Sequence, residues 1–266
     1  MSQPSKACCT TAPTNTDKYE PKGTFSEVGG FKTYTIGNYK SKLAILSIYD
    51  IFGLTPPTLL GADYLSQLPP HPLILMPDLF KGEPMLLSNY PPNTPEKQAL
   101  ITKFFEGPAN PANTVEAVKA YLRAAQERYP EITDWIIAGF CWGGKIAALL
   151  SKGQPPQGVV GSVQIHPAFL DASDAAEIKI PHLLLASKDE DSNVVQEYEQ
   201  AFQKYAKVDE KVAKSEVHTY ADMHHGWMGA RAKLDEIEYK EKFNQGYKQV
   251  AEWVNKHYTS TIPMPA

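Results

Sequence analysis

The stretch Asp134 to Ser151, DWIIAGFCWGGKIAALLS, constrains this chain more than any other. Trp135-Ile136-Ile137-Ala138 is a brief, partly β-branched apolar run that stops at Gly139, the pattern of a buried strand. Ile146 to Leu150 is a helix-forming run, so the chain passes from strand to helix within a few residues. Between them Gly139, Cys141 and Gly143 stand at the spacing of a G-x-S-x-G nucleophile elbow, with sulfur in place of the serine oxygen. The glycines let strand and helix approach closely, and the middle side chain is held at the carboxyl edge of the sheet. There the dipole of the following helix favours a thiolate. A lone cysteine at a strand end is otherwise a small buried hydrophobe. The glycine frame favours the nucleophile.

Gly139-x-x-x-x-Gly144-Lys145 also fits a P-loop up to the lysine. The next residue, Ile146, lacks the hydroxyl that would bind magnesium, and Trp142 is bulky for a loop that wraps phosphates. Nucleotide binding is the weaker of the two readings.

A length of 266 residues suits one large domain or two small ones. A formal charge of −4 gives no electrostatic case for nucleic acid or an anionic membrane as partner. No apolar run has the length of a membrane span, and the first residues lack a signal-peptide core. Three cysteines, two of them adjacent at Cys8-Cys9, make no disulfide framework; a reduced, cytoplasmic protein is expected. Residues 1–20, rich in Ser, Thr, Pro and Lys, read as a loosely ordered arm with spare thiols, and residues 21–262 as one domain.

From Thr24 the pattern is strand-like: Phe25 to Val28, a Gly29-Gly30 turn, then Phe31 to Ile36 form a hairpin. Leu43 to Tyr49 and Leu73 to Met76 read as buried strands, separated by a helix from Pro56 to about Leu68 with Thr55 as its cap. A proline-heavy loop, Gly82 to Pro95, is placed to reach over the sheet edge. Helices follow at Pro95 to Phe105 and, capped by Asn113 or Thr114, up to Tyr129. After the elbow come strands at Val159–Ile165, His182–Ala186 and Ser215–Tyr220, and helices at Val194–Tyr205 and Asp235–His257. No internal repeat or linker interrupts the series. Alternating strands and helices predict an α/β fold, a doubly wound, mostly parallel sheet with helices on both faces.

In such sheets functional groups gather beyond the carboxyl ends of the strands. Cys141, Asp189 and His225 occupy those ends in the chain order of the α/β-hydrolase triad: nucleophile, acid, histidine. His225 would take the thiol proton, and the acid would fix the imidazole tautomer. Asp191 is an equal candidate for the acid by composition. Of the adjacent His224 and His225, the second is preferred because Gly226 permits close backbone approach. The backbone N–H groups of Trp142 and Ile51 are the expected oxyanion donors. Asp50 could meet the thiol or cap its own turn, and His166 ends a strand beside the elbow as a candidate pocket residue. His71, His182, His218 and His257 are assigned to surface or packing.

Together these residues resemble the dienelactone hydrolase family, in its eukaryotic, fungal-type branch. The marks are Asp50-Ile51-Phe52-Gly53, Pro77-Asp78-Leu79, Gly139-Phe140-Cys141-Trp142-Gly143-Gly144, Ala186-Ser187-Lys188-Asp189 and His225-Gly226-Trp227, over about residues 22–258. The resemblance implies an α/β-hydrolase fold without a separate cap domain. It also implies a cysteine acyl-enzyme that opens enol-lactones, with Cys141, Asp189 and His225 as triad and Ile51 and Trp142 as oxyanion donors. Bacterial members carry Glu where Asp50 stands, and bind a substrate carboxylate with two arginines. Arg231 and Lys81 are the candidates here for that charge. No cofactor or metal is expected, and the partner is a small ester or lactone. A thioesterase or general carboxylesterase is the alternative, and a silent scaffold used for binding is a third reading.

Overall fold

The computed structural model describes residues 19–258. Eight strands form one sheet: β1 (Thr24–Val28), β2 (Phe31–Gly37), β3 (Leu43–Ile48), β4 (Leu73–Pro77), β5 (Asp134–Phe140), β6 (Val159–Ile165), β7 (His182–Ser187) and β8 (Glu216–Tyr220). Their order is β1-β2-β4-β3-β5-β6-β7-β8. The β1–β2 and β2–β4 pairs are antiparallel, and every later pair is parallel. Among the described residues, six α-helices lie between the strands, α1 (Pro56–Ser66), α2 (Pro95–Glu106), α3 (Pro111–Arg128), α4 (Trp142–Leu150), α5 (Ala172–Glu177) and α6 (Ser192–Tyr205), and α7 (Ile237–Tyr258) follows β8.

The central strands read as unbroken apolar runs because both of their faces are covered. Along β3, Ala44, Leu46 and Ile48 point into one layer, with Val118, Leu122 and Ile146 of α3 and α4. Leu43 and Ile45 point into the other, with Leu59 and Leu65 of α1 and Phe243 and Val250 of α7. From β3 the chain winds first towards β4 and then back to β5, so the crevice at the carboxyl ends opens where β3 and β5 lie side by side. Asp50-Ile51-Phe52 leaves β3 there, and Cys141 leaves β5.

Two expected caps differ. Asn110, three residues earlier than foreseen, caps α3 by accepting from the N–H groups of Ala112 and Asn113, so the helix starts at Pro111. Thr55 makes no cap bond; its hydroxyl meets that of Thr58 at 2.8 Å. Pro56 and Pro57 have no N–H to satisfy, which lowers the demand for a side-chain cap. The short α5, capped by Asp171, is an element the hydrophobic pattern does not signal. Of the expected N-terminal arm, residues 1–18, with Cys8 and Cys9, lie outside the described residues. Tyr19 lies within them, and its hydroxyl donates to the Asp63 carboxylate at 2.5 Å.

Candidate active site

Cys141 sits between β5 and α4 with φ 54 and ψ −113, a conformation that costs free energy for any residue bearing a β-carbon. Neighbouring elements hold it there. Its N–H donates to the Ile165 carbonyl, and its carbonyl accepts from the Gly144 and Ala168 N–H groups, each at 3.0 Å. A β-carbon on Gly143 would collide with the Ile48 carbonyl oxygen, and one on Gly139 with that of Gly143. The two glycines of the sequence motif are thus the places where strand, helix and β3 touch. The thiol is almost fully covered.

His225 lies on the loop after β8, and its Nδ1 is 2.7 Å from Oε1 of Glu190, both side chains being 1% exposed. The other Glu190 oxygen accepts from the Ser187 N–H. The carboxylate on His225 Nδ1 is therefore that of Glu190, where the sequence puts forward Asp189. The three consecutive acids after β7 divide their work by direction. Asp189, half-buried, accepts from the backbone N–H of His225 at 2.8 Å. Asp191, exposed, caps α6 by accepting from the Asn193 N–H at 2.9 Å. Only Glu190 points inward. Sequence reasoning passed over it because it compared aspartates alone; the signal available was a third carboxylate in the same loop.

The two adjacent histidines point in different directions, and only His225 meets a carboxylate through its side chain. His224 Nε2 lies 3.0 Å from the Arg231 carbonyl and its ring packs on Tyr239, while burial holds its pKa below the usual value. Gly226 adopts φ +93, and the space a β-carbon would fill there is occupied by the Arg231 stem.

Asp50 is buried, with Oδ1 accepting from the Phe52 N–H at 2.9 Å and Oδ2 from the Ala230 N–H at 3.0 Å. It caps its own turn and also ties the β3 loop to the segment after His225. Burial raises its carboxyl pKa, against the opposing pull of those two N–H groups, Arg231 and His225. Arg231 is buried too, its guanidinium 5.3 Å from the Phe52 ring centroid and 5.5 Å from that of Tyr90. Tyr90 arrives on the proline-rich loop, which does reach over the sheet edge: the Met85 N–H donates to the Ile51 carbonyl, and the Tyr90 and Phe52 rings are 5.0 Å apart. Lys81 goes elsewhere. Exposed, with φ 53, it sets its ammonium 5.5 Å from the Phe31 ring at the start of β2.

Trp142 begins α4, its indole donating to the Ala109 carbonyl at 2.8 Å and stacking 4.8 Å from Phe80. Ile51 is fully buried across the crevice. His166 is fully buried as well, with φ 37, its ring in edge contact with His225 at 5.2 Å between centroids. Lys145, the would-be phosphate lysine, is paired with the buried Asp174 at 2.5 Å. Among the described residues, no cluster of three or more His, Cys, Asp or Glu side chains could hold a metal ion.

The strand order, with a side chain held at positive φ between β5 and α4, places the molecule among the α/β-hydrolases. The chain belongs to the dienelactone hydrolase family, whose profile matches residues 31–258, and it is a hydrolase of ester bonds. An AIM2 family protein of Schizosaccharomyces pombe is 36% identical over 256 residues, covering 92% of this chain and 96% of its own. A second AIM2 family protein of the same yeast is 33% identical over 248 residues, covering 91% and 95%. A crystal structure from Klebsiella pneumoniae, assigned as a dienelactone hydrolase, superposes with a TM-score of 0.66 at 17% identity, covering 90% of this chain and all of the other. That likeness is one of fold.

Proposed function

We propose that this protein hydrolyses small esters or enol-lactones through a thioester on Cys141, with His225 as the proton carrier and Glu190 as the acid that orients it. The observation that carries the reading is the buried 2.7 Å contact between His225 Nδ1 and Glu190, at the same carboxyl edge of the sheet as a cysteine held at positive φ. With Nδ1 engaged by a carboxylate, Nε2 is the nitrogen that exchanges protons with sulfur. In the first half-reaction sulfur attacks the carbonyl carbon while His225 carries the thiol proton to the departing oxygen. The backbone N–H groups of Ile51 and Trp142 receive the developing oxyanion. In the second, His225 deprotonates a water that attacks the thioester, and sulfur leaves and takes the proton back.

Arg231, held between Phe52 and Tyr90, gives the site one buried cation for a substrate carboxylate, which favours carboxylated lactones over neutral esters. A cytoplasmic location accords with free thiol chemistry. A screen of enol-lactones, thioesters and short p-nitrophenyl esters, run beside Cys141→Ala and with iodoacetamide, tests the proposal. Activity that vanishes in Cys141→Ala and falls in proportion to Cys141 alkylation is expected. Full activity in Cys141→Ala would overturn the mechanism, and no turnover of any ester by the folded wild type would leave a binding scaffold. A preference for thioesters would move the substrate class.

A further inference from the structure

His166 does more than fill space. Its side chain has no exposed surface, yet neither ring nitrogen has a hydrogen-bond partner among the described residues. A phenyl ring would pack against Phe140 and His225 equally well, without the desolvation cost that a buried, unpartnered polar atom carries. The backbone is also held in a costly conformation to put the ring there. His166 has φ 37, kept by its N–H donating to the Leu185 carbonyl at 2.7 Å, one residue past the Ile165 carbonyl that anchors Cys141.

Gly229 shows what the ring faces. A β-carbon at Gly229 would stand 3.8 Å from His166 Nε2 and 3.0 Å from Asp50 Oδ2. Two buried polar side chains therefore converge on the side of Gly229 that bears no substituent, and the His166 ring is itself in edge contact with that of His225. Asp50 Oδ2 already accepts one backbone N–H, and a carboxylate oxygen has a second lone pair to offer. Burial, together with the charges of His225, Arg231 and His224, keeps the His166 pKa well below its ordinary value, so the ring stays neutral and offers one donor and one acceptor.

We propose that His166 is a positioning residue for the second half-reaction: beside Gly229, it and Asp50 hold the water that His225 activates. This rests on the thioester mechanism proposed above. The water oxygen forms a bond to the thioester carbonyl carbon as its proton passes to His225 Nε2, and the carbonyl electron pair moves onto oxygen. Collapse of that intermediate breaks the carbon–sulfur bond, and the proton on His225 goes to the departing sulfur. Asp50 Oδ2 and a His166 nitrogen would be two of the polar partners that a buried water needs.

The test is rapid mixing of the full-length enzyme with p-nitrophenyl acetate, reading the nitrophenolate burst, the steady state and the intact mass. His166→Phe keeps the ring and removes the nitrogens. It should leave the burst rate unchanged, lower the steady-state rate by about tenfold or more, and accumulate an acetylated protein. His166→Gln, which keeps a donor and an acceptor, should recover most of the loss. Gly229→Ala, which sets a methyl group 3.0 Å from Asp50 Oδ2 and 3.8 Å from His166 Nε2, should likewise accumulate the acetylated protein. Burst and steady state both at wild-type rates in His166→Phe would overturn the inference. So would a parallel fall of the two, or a Gln variant no better than Phe. If His166→Phe does not fold, Gly229→Ala decides the matter: accumulation of the acetylated protein supports the inference, and its absence overturns it. Failure of the underlying mechanism is distinct: Cys141→Ala would then keep its activity, whatever His166 does.

Discussion

Glu190 and His225 meet at 2.7 Å with both side chains buried, while Asp189, one residue away in sequence, binds only the backbone N–H of that histidine. Ordinary substitutions can separate the three acids of this loop. Glu190→Gln should lower kcat by about 10³–10⁴, because an amide favours the wrong imidazole tautomer. Asp189→Asn should cost far less, since an amide oxygen can still accept the His225 N–H. Asp191→Ala should leave kcat intact and cost about 1 kcal/mol of stability as a lost helix cap. Steady-state kinetics with urea unfolding of all three variants checks the ranking, and a larger loss at Asp189 than at Glu190 would reverse the assignment.

Cys141→Ser keeps the elbow, the histidine and the oxyanion donors, but replaces a thiol by a hydroxyl of much higher pKa. Its kcat/KM should fall by about two decades or more while substrate binding holds, each decade being worth about 1.4 kcal/mol. Activity equal to the wild type would mean that the sulfur is not the attacking atom.

Arg231 and Lys81 lie in different places, one against Phe52 and Tyr90 and the other against Phe31. Arg231→Ala should raise KM for carboxylated lactones by about one to two decades and leave neutral esters nearly unchanged. Lys81→Ala should change neither, because its ammonium rests on Phe31. Equal kinetics on charged and neutral substrates in Arg231→Ala would show that the guanidinium serves packing alone.

Acid should weaken the fold through His182. This fully buried imidazole lies 2.7 Å from Ser162 Oγ and 3.0 Å from Gln164 Oε1, and burial lowers its pKa from 6.5 to about 3. Between those values only the unfolded chain takes up the proton. Stability from this site is therefore whole above pH 6.5 and is lost as the pH falls towards 3, at up to about 1.4 kcal/mol per unit. Urea unfolding at pH 7, 6 and 5 should show the decline, and His182→Gln should flatten it. An unchanged slope in that variant would place the acid sensitivity elsewhere.

By itself the sequence determined the α/β alternation, the tight strand-to-helix turn at Cys141 and the turn at Gly226. Each rests on a local rule: apolar runs such as Leu43–Ile48 bury both faces of a strand, glycines at 139 and 143 permit close approach, and Gly226 follows His225 in a turn that needs positive φ. The tertiary structure alone decided the direction in which each side chain points. Asp189, Glu190 and Asp191 are indistinguishable by composition, and only the start of α6 and the arrival of the β8 loop turn Glu190 inward, Asp189 to a backbone N–H and Asp191 to a helix end. Lys81 and Arg231 likewise both follow strands, but one lands on the β1–β2 hairpin and the other between Phe52 and Tyr90. His166 follows β6, and Gly229 and Asp50, distant in sequence, lie beside it only in the folded chain. A side chain's neighbours within its own segment follow from periodicity; those across the crevice follow from how separate segments pack, which no local pattern encodes.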